Sequence, residues 1–478
     1  MRLSREPLWA TLICSFNHSY SQEHAADLRQ VITDPAITTP GSRGSSARRP
    51  ISNLRWWIGG ILLASTIINY LDRQSLSLLA PYLKLEYHWT NTDYANIVIG
   101  FRLAYSVGQT VFGRFMDRIG TRRGLSVTVV FYSVISVLTS LARGFYSFAA
   151  FRFLLGAGES ANWPAATKAV SEWFPSRERG LATALFDSGS SIGGAIASWL
   201  ILSIYFRWGW RPAFAIPGML GFAWVLGWRW LYHPPESHPR ISQAERQMIM
   251  ADKQESRSSA RDGKPLDWRK LLILPQTWGA IVAKAFTDPV WFFVTDWFPI
   301  YLVAKGIELK SGLIAIWIPF LAADLGNFSG GIVSGYLIKL GWSLGRARKA
   351  VVIFGGLGVT VLMATVFTNN LYLLALLFAL ATFSYAAFST MANVLPSDLF
   401  HSESVASVSG LSGTAAGLGT VVAFELIGHF SDARSALAGH SFDPIVIVAG
   451  LVPLVGMILV LLLVRNTEST RRGLVRPI

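Results

Sequence analysis

The chain has 478 residues, of which 52% are hydrophobic and 15% charged, with a formal net charge of +14 and a single cysteine, Cys14. This apolar fraction exceeds what one soluble domain buries and favours a polytopic membrane protein, while one cysteine excludes an internal disulfide framework. A large α/β enzyme would need apolar runs of roughly 4–8 residues, whereas the runs here reach about 20, the length that crosses a bilayer.

Twelve apolar stretches follow one another along the chain and predict an all-α integral membrane protein with twelve transmembrane helices. They lie at 56–80, 94–116, 124–142, 146–170, 181–205, 212–231, 277–303, 312–338, 350–368, 370–393, 405–428 and 444–464. One long polar stretch divides them into two six-helix bundles. The expected organisation is an N-terminal extension, an N-terminal bundle, a linker, a C-terminal bundle and a tail, at 1–54, 55–231, 232–270, 271–466 and 467–478.

The N-terminal extension does not share the apolar pattern. Its stretch "LWATLIC" is too short to span a membrane, and "PGSRGSSARRP" has the composition of a disordered segment. A signal peptide is the alternative, although polar "SFNHSYSQEH" stands where a cleavage site would be expected. We expect an unstructured cytoplasmic extension.

Basic residues concentrate in the even-numbered connections between the spans. They are Arg114, Arg118, Arg122, Arg123, Lys168, Arg177, Arg179, Lys339, Arg346, Arg348 and Lys349, together with those of the linker. Cytoplasmic loops carry such an excess, so both termini and the linker are expected in the cytoplasm. We attribute the net charge to this topology and to the tails rather than to a nucleic-acid partner.

An internal repeat relates the two bundles. The segment "SEWFPSRERGLATALFDSGSSIG" from Ser171 aligns with "SDLFHSESVASVSGLSGTAAGLG" from Ser397, and both lie at the entry to the fifth span of their half. The aligned polar residues include Glu172 with Asp398. Parallel repeats of this kind are typical of transporters whose site lies between the repeats, and they predict two pseudo-symmetric bundles.

The segment "GRFMDRIGTRR" resembles the loop signature of the major facilitator superfamily. Four further stretches resemble its anion:cation symporter branch, and most closely the bacterial hexuronate transporters: "NYLDR", "GAGESANWPAATKAVSEWFPSRERG", "FTDPVWFFVTDWFPIYL" and "PFLAADLGNFSGG". The likeness runs from Arg55 to Asn466. It implies the major facilitator fold and secondary active transport of a small organic anion through the lipid bilayer by a monomer without a cofactor.

Charged residues inside the spans are the functional candidates, because each is costly in a bilayer unless it is paired or hydrated. They are Asp72, Arg73, Arg102, Arg152, Glu159, Asp187, Lys284, Asp288, Asp296 and Asp324. Arginine grips a carboxylate with its planar fork, and we assign the substrate carboxylate to Arg152, in agreement with the resemblance.

The resemblance adds further substrate contacts. It places Tyr70, Tyr105 and Ser190 where the family contacts its substrate, and Trp291 and Asn393 are expected contacts from the C-terminal bundle. Arg73 completes the substrate-binding set. Asp187 and Asp296 are acids where similar proteins carry uncharged residues, and their role stays open.

Coupling to protons needs carboxyl groups that gain and lose a proton in a partly dehydrated site. Asp72, beside Arg73, and Glu159, seven residues from Arg152 on one helical face, meet this description. The resemblance places the proton-carrying acids at the same two positions. We expect Arg73 to hold Asp72 and Arg152 to face Glu159, and the alternative is that Asp72 and Arg73 form a permanent structural pair.

The remaining charged cluster is assigned to gating. Asp117, Arg118, Arg122 and Arg123 are expected to latch the cytoplasmic side rather than to bind substrate. The histidines show no metal-ligand spacing, so no metal site is predicted.

The leading hypothesis is a proton-coupled importer of hexuronates, such as glucuronate or galacturonate, in a bacterial inner membrane. The alternative is a symporter for an aldonate, aldarate, aromatic or dicarboxylic acid, with sodium coupling left open. A membrane-bound enzyme or a sensor is disfavoured, because no nucleophile–base pair, metal motif or nucleotide loop stands in the sequence and neither tail nor linker is long enough for an output domain.

Overall fold

The computed structural model describes residues 49–89, 91–257, 267–294, 298, 301–302, 305–307, 313–433 and 442–464. The expected N-terminal extension, except for its last six residues, and the expected C-terminal tail lie outside these ranges. Each of the twelve predicted spans coincides with at least one helix of the described residues. Beyond the helices, an isolated β-bridge joins Ile51 and Ile241.

The N-terminal half contains eight helices in the described residues. They are α1 (Leu54–Tyr87), α2 (Asn91–Ile119), α3 (Thr121–Thr139), α4 (Phe145–Glu159), α5 (Asn162–Trp173), α6 (Arg179–Asp187), α7 (Gly189–Trp208) and α8 (Trp210–Leu231). The fourth span is broken after Glu159 and the fifth at Ser188. Pro164 explains the first break, because it lacks the N–H that would bond to the carbonyl four residues earlier.

The linker contains a helix that the hydropathy pattern did not predict, α9 (Gln243–Arg257). The C-terminal half follows with α10 (Trp268–Ile273), α11 (Pro275–Ala285), α12 (Asp288–Phe292), α13 (Leu313–Lys339), α14 (Leu344–Val359), α15 (Leu371–Leu399), α16 (Ser402–Ala433) and α17 (Asp443–Leu463). A 3-10 helix, Thr360–Phe367, continues α14.

Within the described residues, six helical stretches are long and apolar enough by themselves to cross a membrane. They are Leu54–Ala80, Arg179–Trp208, Leu344–Phe367, Leu371–Leu399, Ser402–Ala423 and Asp443–Leu463. Of the other predicted spans, the fourth and the seventh are broken, and α2 carries Arg102, Arg114 and Asp117. Interior charges lower the hydropathy of a helix that neighbouring helices shield from lipid.

The two repeated acids occupy equivalent places in the two halves. Glu172, at the end of α5, accepts a hydrogen bond from Thr121 at the start of α3, 2.9 Å away. Asp398, at the end of α15, accepts a hydrogen bond from Arg348 near the start of α14, 2.8 Å away. In each half the end of the fourth span is therefore tied to the start of the third.

The linker helix α9 packs against one end of the bundle, which we call the linker end. The carboxylate of Glu245 accepts hydrogen bonds from the backbone N–H groups of Leu54 and Arg55, at 3.0 Å each. Asp252 accepts hydrogen bonds from the Ser176 backbone N–H at 3.0 Å and from Arg179 at 3.1 Å. A carboxylate at the first turn of a helix satisfies N–H groups that have no partner inside the helix.

The halves contact each other from the linker end toward the middle of the helices. Here α2 packs on α16, and α6 on α13. Gly180 and Gly331 stand at the second contact, where a Cβ on Gly331 would lie 2.7 Å from the carbonyl oxygen of Gly180. Glycine is required there because the two backbones leave no room for a side chain.

Candidate functional site

An ion pair inside the N-terminal half joins α1 to α4. Nε of Arg73 lies 2.8 Å from Oε2 of Glu159. The Glu159 side chain is 0% exposed and that of Arg73 is 20% exposed. The Arg73 side chain therefore bonds to a buried carboxylate and is itself partly exposed, while its Nη2 is buried and has no hydrogen-bond partner among the described residues.

Aromatic rings surround the Arg73 guanidinium. Its carbon lies 4.2 Å from the ring centre of Tyr105 and 5.2 Å from that of Tyr70. Phe101 and Trp163 follow at 5.6 and 6.0 Å. Rings attract a cation through their electron-rich faces, so this cage fixes the position of Arg73 without consuming its hydrogen-bond donors.

Asp72 points away from Arg73 into the interior of the N-terminal half. It is 1% exposed, and its Oδ1 accepts a hydrogen bond of 2.6 Å from Ser136 on α3. Arg152 is 3% exposed and donates from Nη1 to the backbone carbonyl of Asp72, at 3.3 Å. Nε and Nη2 of Arg152 have no hydrogen-bond partner among the described residues.

Arg152 interacts electrostatically with both Glu159 and Asp72, and its hydrogen bond goes to the backbone carbonyl of Asp72. The expected hold of Arg73 on Asp72 is wrong, because Arg73 bonds to Glu159 instead. The reason is helical geometry, since successive residues of a helix point about 100° apart and cannot face the same neighbour.

Tyr70 and Ser190 lie at the contact between α1 and α7. A Cβ on Gly193 would lie 2.8 Å from the Cβ of Tyr70, which shows how closely the two helices approach. The hydroxyl of Ser190 donates to the backbone carbonyl of Asp187 at 2.7 Å. The structure thus brings both predicted contacts and Asp187 to one region, while Asp296 lies outside the described residues.

The C-terminal half contributes a lysine that is bonded to one of the predicted contacts. Nζ of Lys284 donates to Oδ1 of Asn393 at 2.8 Å and lies 3.3 Å from Oδ2 of Asp288. Trp291 is stacked on Tyr385, with ring centres 5.8 Å apart. Across the halves, Ser191 donates to Asp324 at 2.8 Å.

The predicted gating residues separate into one contact between halves and three others. Asp117 accepts hydrogen bonds from the backbone N–H groups of Ala406 and Ser407, at 3.3 and 2.7 Å, and lies 2.8 Å from Nζ of Lys168. Arg122 donates instead to the Arg229 carbonyl, and Arg118 and Arg123 are exposed. Asp117 is therefore the predicted gating residue that joins α2 to α16.

Sequence reasoning missed several of these partners. Trp163 belongs to a stretch that carried the resemblance, and an aromatic residue beside buried charges was a usable signal. No sequence signal pointed to Ser136 or Phe101, because a serine or phenylalanine in an apolar span does not reveal which helix it faces. Among the described residues, no three His, Cys, Asp or Glu side chains are arranged to hold a metal ion.

Comparisons with known proteins agree on a family. The family model of the Major Facilitator Superfamily matches residues 62–424. The hexuronate transporter of Escherichia coli (strain K12) is 31% identical over 428 residues, which cover 88% of this chain and 96% of the relative. The probable galactarate/D-glucarate transporter GarP of the same organism is 32% identical over 431 residues, covering 87% and 95%.

A solved structure shows the same fold. The proton:xylose symporter XylE superposes with a TM-score of 0.65 at 15% identity, covering 85% of this chain and 95% of that protein.

Proposed function

The chain belongs to the Major Facilitator Superfamily, and from this premise we propose that it is a secondary transporter that moves a hexuronate anion, such as glucuronate or galacturonate, together with protons across a bacterial inner membrane. The observation that carries the proposal is the caged and partly exposed Arg73 bonded to the buried Glu159. The similarity to a hexuronate transporter supports the choice of substrate.

Arg73 is the first cation that an entering carboxylate would meet. It is partly exposed, whereas Arg152 is almost completely buried behind Asp72. A guanidinium binds a carboxylate through its N–H groups, and we assign the hydroxyls of Tyr70 and Tyr105, whose rings lie against Arg73, to the sugar. We therefore move the first contact from Arg152 to Arg73 and assign Arg152 to the interior network around Asp72.

Substrate binding and protonation are linked through the same ion pair. A substrate carboxylate that takes a donor of Arg73 competes with Glu159 for this cation. A buried carboxylate without its cation is costly to keep charged, so Glu159 takes up a proton instead. By linkage, protonation of Glu159 favours anion binding to the same degree.

Alternating access requires the halves to separate at the linker end. Three sets of bonds hold this end closed in the structure: Asp117 with the start of α16, Arg179 with Ser397 and Asp398, and Arg348 with Ser176. The basic connections argue that this end faces the cytoplasm. In this proposal the structure represents a state with its cytoplasmic side closed.

Uptake of labelled glucuronate and galacturonate into proteoliposomes, with and without an inward proton gradient, tests the proposal. Arg73→Ala should abolish gradient-driven uptake, and Arg207→Ala, an exposed arginine on α7, is the matched control. Uptake that is independent of the gradient, or intact in Arg73→Ala, contradicts the proposal.

A diacid is the second candidate substrate. The buried ammonium of Lys284, bonded to Asn393, offers another cation in the opposite half, and one relative is a probable galactarate/D-glucarate transporter. Asp288 neutralises part of this charge. Uptake of labelled galactarate that is lost in Lys284→Gln would select the diacid.

A further inference from the structure

Two buried polar side chains near the site have no assigned role. Asn69 on α1 is 0% exposed and Tyr132 on α3 is 2% exposed. Within the described residues, the amide atoms of Asn69 have no hydrogen-bond partner, and the Tyr132 hydroxyl makes no well-formed hydrogen bond, although it interacts with the Ser65 side chain. Leaving a buried polar group unsatisfied costs about 1–3 kcal/mol, so unsatisfied polar atoms on both α1 and α3 point to a bound ligand.

Tyr132 stands between the two carboxyl groups. It precedes by one helical turn Ser136, which bonds to Asp72. On the other side, a Cβ on Gly158 would lie 3.0 Å from the Cβ of Tyr132, so this tyrosine packs directly against α4 beside Glu159. Its hydroxyl interacts electrostatically with both Asp72 and Glu159.

Asn69 lies on the same stripe of α1 as Asp72. It is three residues from Asp72 and four from Ser65, and helix positions so spaced share a face. Ser65 donates to Oδ1 of Asn162 on α5 at 2.7 Å, which directs this stripe into the bundle of α1, α3, α4 and α5. The amide of Asn69 is therefore enclosed on the side where Tyr132 and the acids stand.

Each acid also presents an unused oxygen. Oδ2 of Asp72 and Oε1 of Glu159 are buried and have no partner within the described part of the chain. With Asn69 and Tyr132 they form a set of donors and acceptors on three helices. Water is the ligand such a set suits, since enclosed waters bind where two to four polar groups converge.

We propose that Asn69 and Tyr132 hold water between Asp72 and Glu159 and that a proton passes between the two carboxyl groups through this chamber. The proposal rests on the proton coupling proposed above. Protonated Asp72 gives its proton to the bound water, the water gives one to the Tyr132 oxygen, and the Tyr132 hydroxyl gives its own to the Glu159 carboxylate. One proton moves, and only O–H bonds form and break.

The burial of Asp72 explains why a relay is needed for its proton. Asp72 is enclosed, whereas Glu159 touches the partly exposed Arg73. In the proposal, a proton bound at Asp72 reaches the partly exposed Arg73 by way of Glu159. Tyr132 carries the proton, and Asn69 is a positioning residue that orients the water.

Two rates measured in proteoliposomes with labelled glucuronate or galacturonate, whichever the native protein carries, test the proposal. The first is net uptake driven by a proton gradient; the second is exchange of internal for external substrate without a gradient, which needs no net proton transfer. Tyr132→Phe should lower the first by at least about tenfold and leave the second unchanged. Tyr301→Phe, an equally buried tyrosine bonded to Thr365, is the matched control.

The outcomes separate the alternatives. If Tyr132→Phe loses both rates equally, the role of Tyr132 is structural. If both rates keep their native values, the Tyr132 hydroxyl does not take part in proton transfer. Either result contradicts the proposal. Asn69→Ala should likewise lose gradient-driven uptake and keep exchange. It replaces Tyr132→Phe in the test if that variant does not fold. Gradient-independent uptake by the native protein overturns the proposed coupling itself and is seen before any substitution is made.

Discussion

Arg73 and Glu159 form an ion pair inside the N-terminal half, with Nε and Oε2 2.8 Å apart. The side chain of Glu159 is fully enclosed, whereas that of Arg73 is partly exposed. Under the proposed function, an anion that binds Arg73 changes the charge balance at Glu159 without contacting this acid.

Replacing the acid should separate binding from coupling. Glu159→Gln removes the charge that competes with substrate for Arg73, so we expect the affinity for glucuronate to rise by about tenfold while gradient-driven uptake is lost. Binding of labelled glucuronate to purified protein and uptake into proteoliposomes measure the two effects. Weaker binding in Glu159→Gln would contradict the competition. Glu86→Gln serves as the control, because Glu86 lies at the C-terminal end of α1, away from Arg73.

The hydrogen bond from Ser136 to Asp72 should contribute to stability. Ser136→Ala leaves a buried carboxylate oxygen without its donor, at a cost of about 1–3 kcal/mol, and should lower the melting temperature in detergent. Ser140→Ala removes the hydroxyl of the residue that directly follows α3, which bonds to the Val137 carbonyl, and should have a smaller effect. Equal melting temperatures for the two variants would show that Ser136 does not support Asp72.

A disulfide across the halves should arrest transport. The hydroxyl oxygens of Thr110 on α2 and Thr414 on α16 are 2.7 Å apart, so cysteine sulfurs at these positions would lie next to each other. With Cys14→Ser as background, Thr110→Cys and Thr414→Cys should cross-link on mild oxidation, stop glucuronate uptake, and regain it on reduction. The two single variants control for the oxidant, and uptake by the cross-linked protein would argue against separation of the halves.

Docking of the linker should weaken in acid. Burial lowers the pKa of His238 below its ordinary value of 6.5, and the nearby His233, Arg240 and Arg246 lower it further, although a hydrogen bond to the Leu231 carbonyl opposes them. The undocked segment therefore binds more protons than the docked one as the pH falls, so stability is complete above about pH 6.5 and declines below it.

Limited proteolysis of residues 232–257 between about pH 7.5 and about pH 5.5 measures this effect. We expect faster cleavage at the lower pH in the native protein. His238→Asn, which keeps an acceptor for the Arg240 backbone N–H and cannot be protonated, should show a flat profile. The same acid sensitivity in His238→Asn would place the titrating group elsewhere.

The apolar runs determined most of the architecture. Every predicted span coincides with helix in the described residues, because the hydrocarbon thickness imposes a run length that is visible in sequence. The family was also readable, since the "GRFMDRIGTRR" signature stands in one continuous stretch. The helix in the linker was not, because its stabilising bonds come from Leu54, Arg55, Ser176 and Arg179, far away along the chain.

The sequence by itself determined that this is a twelve-span transporter of the major facilitator type and which buried charges it contains. Only the tertiary structure decided how those charges pair: Arg73 with Glu159, Asp72 with Ser136, Asp117 with the start of α16. The physical reason is that span length and polarity are properties of a continuous segment. The partner of a side chain is instead set by the direction in which the helix points it and by the neighbour that packs there.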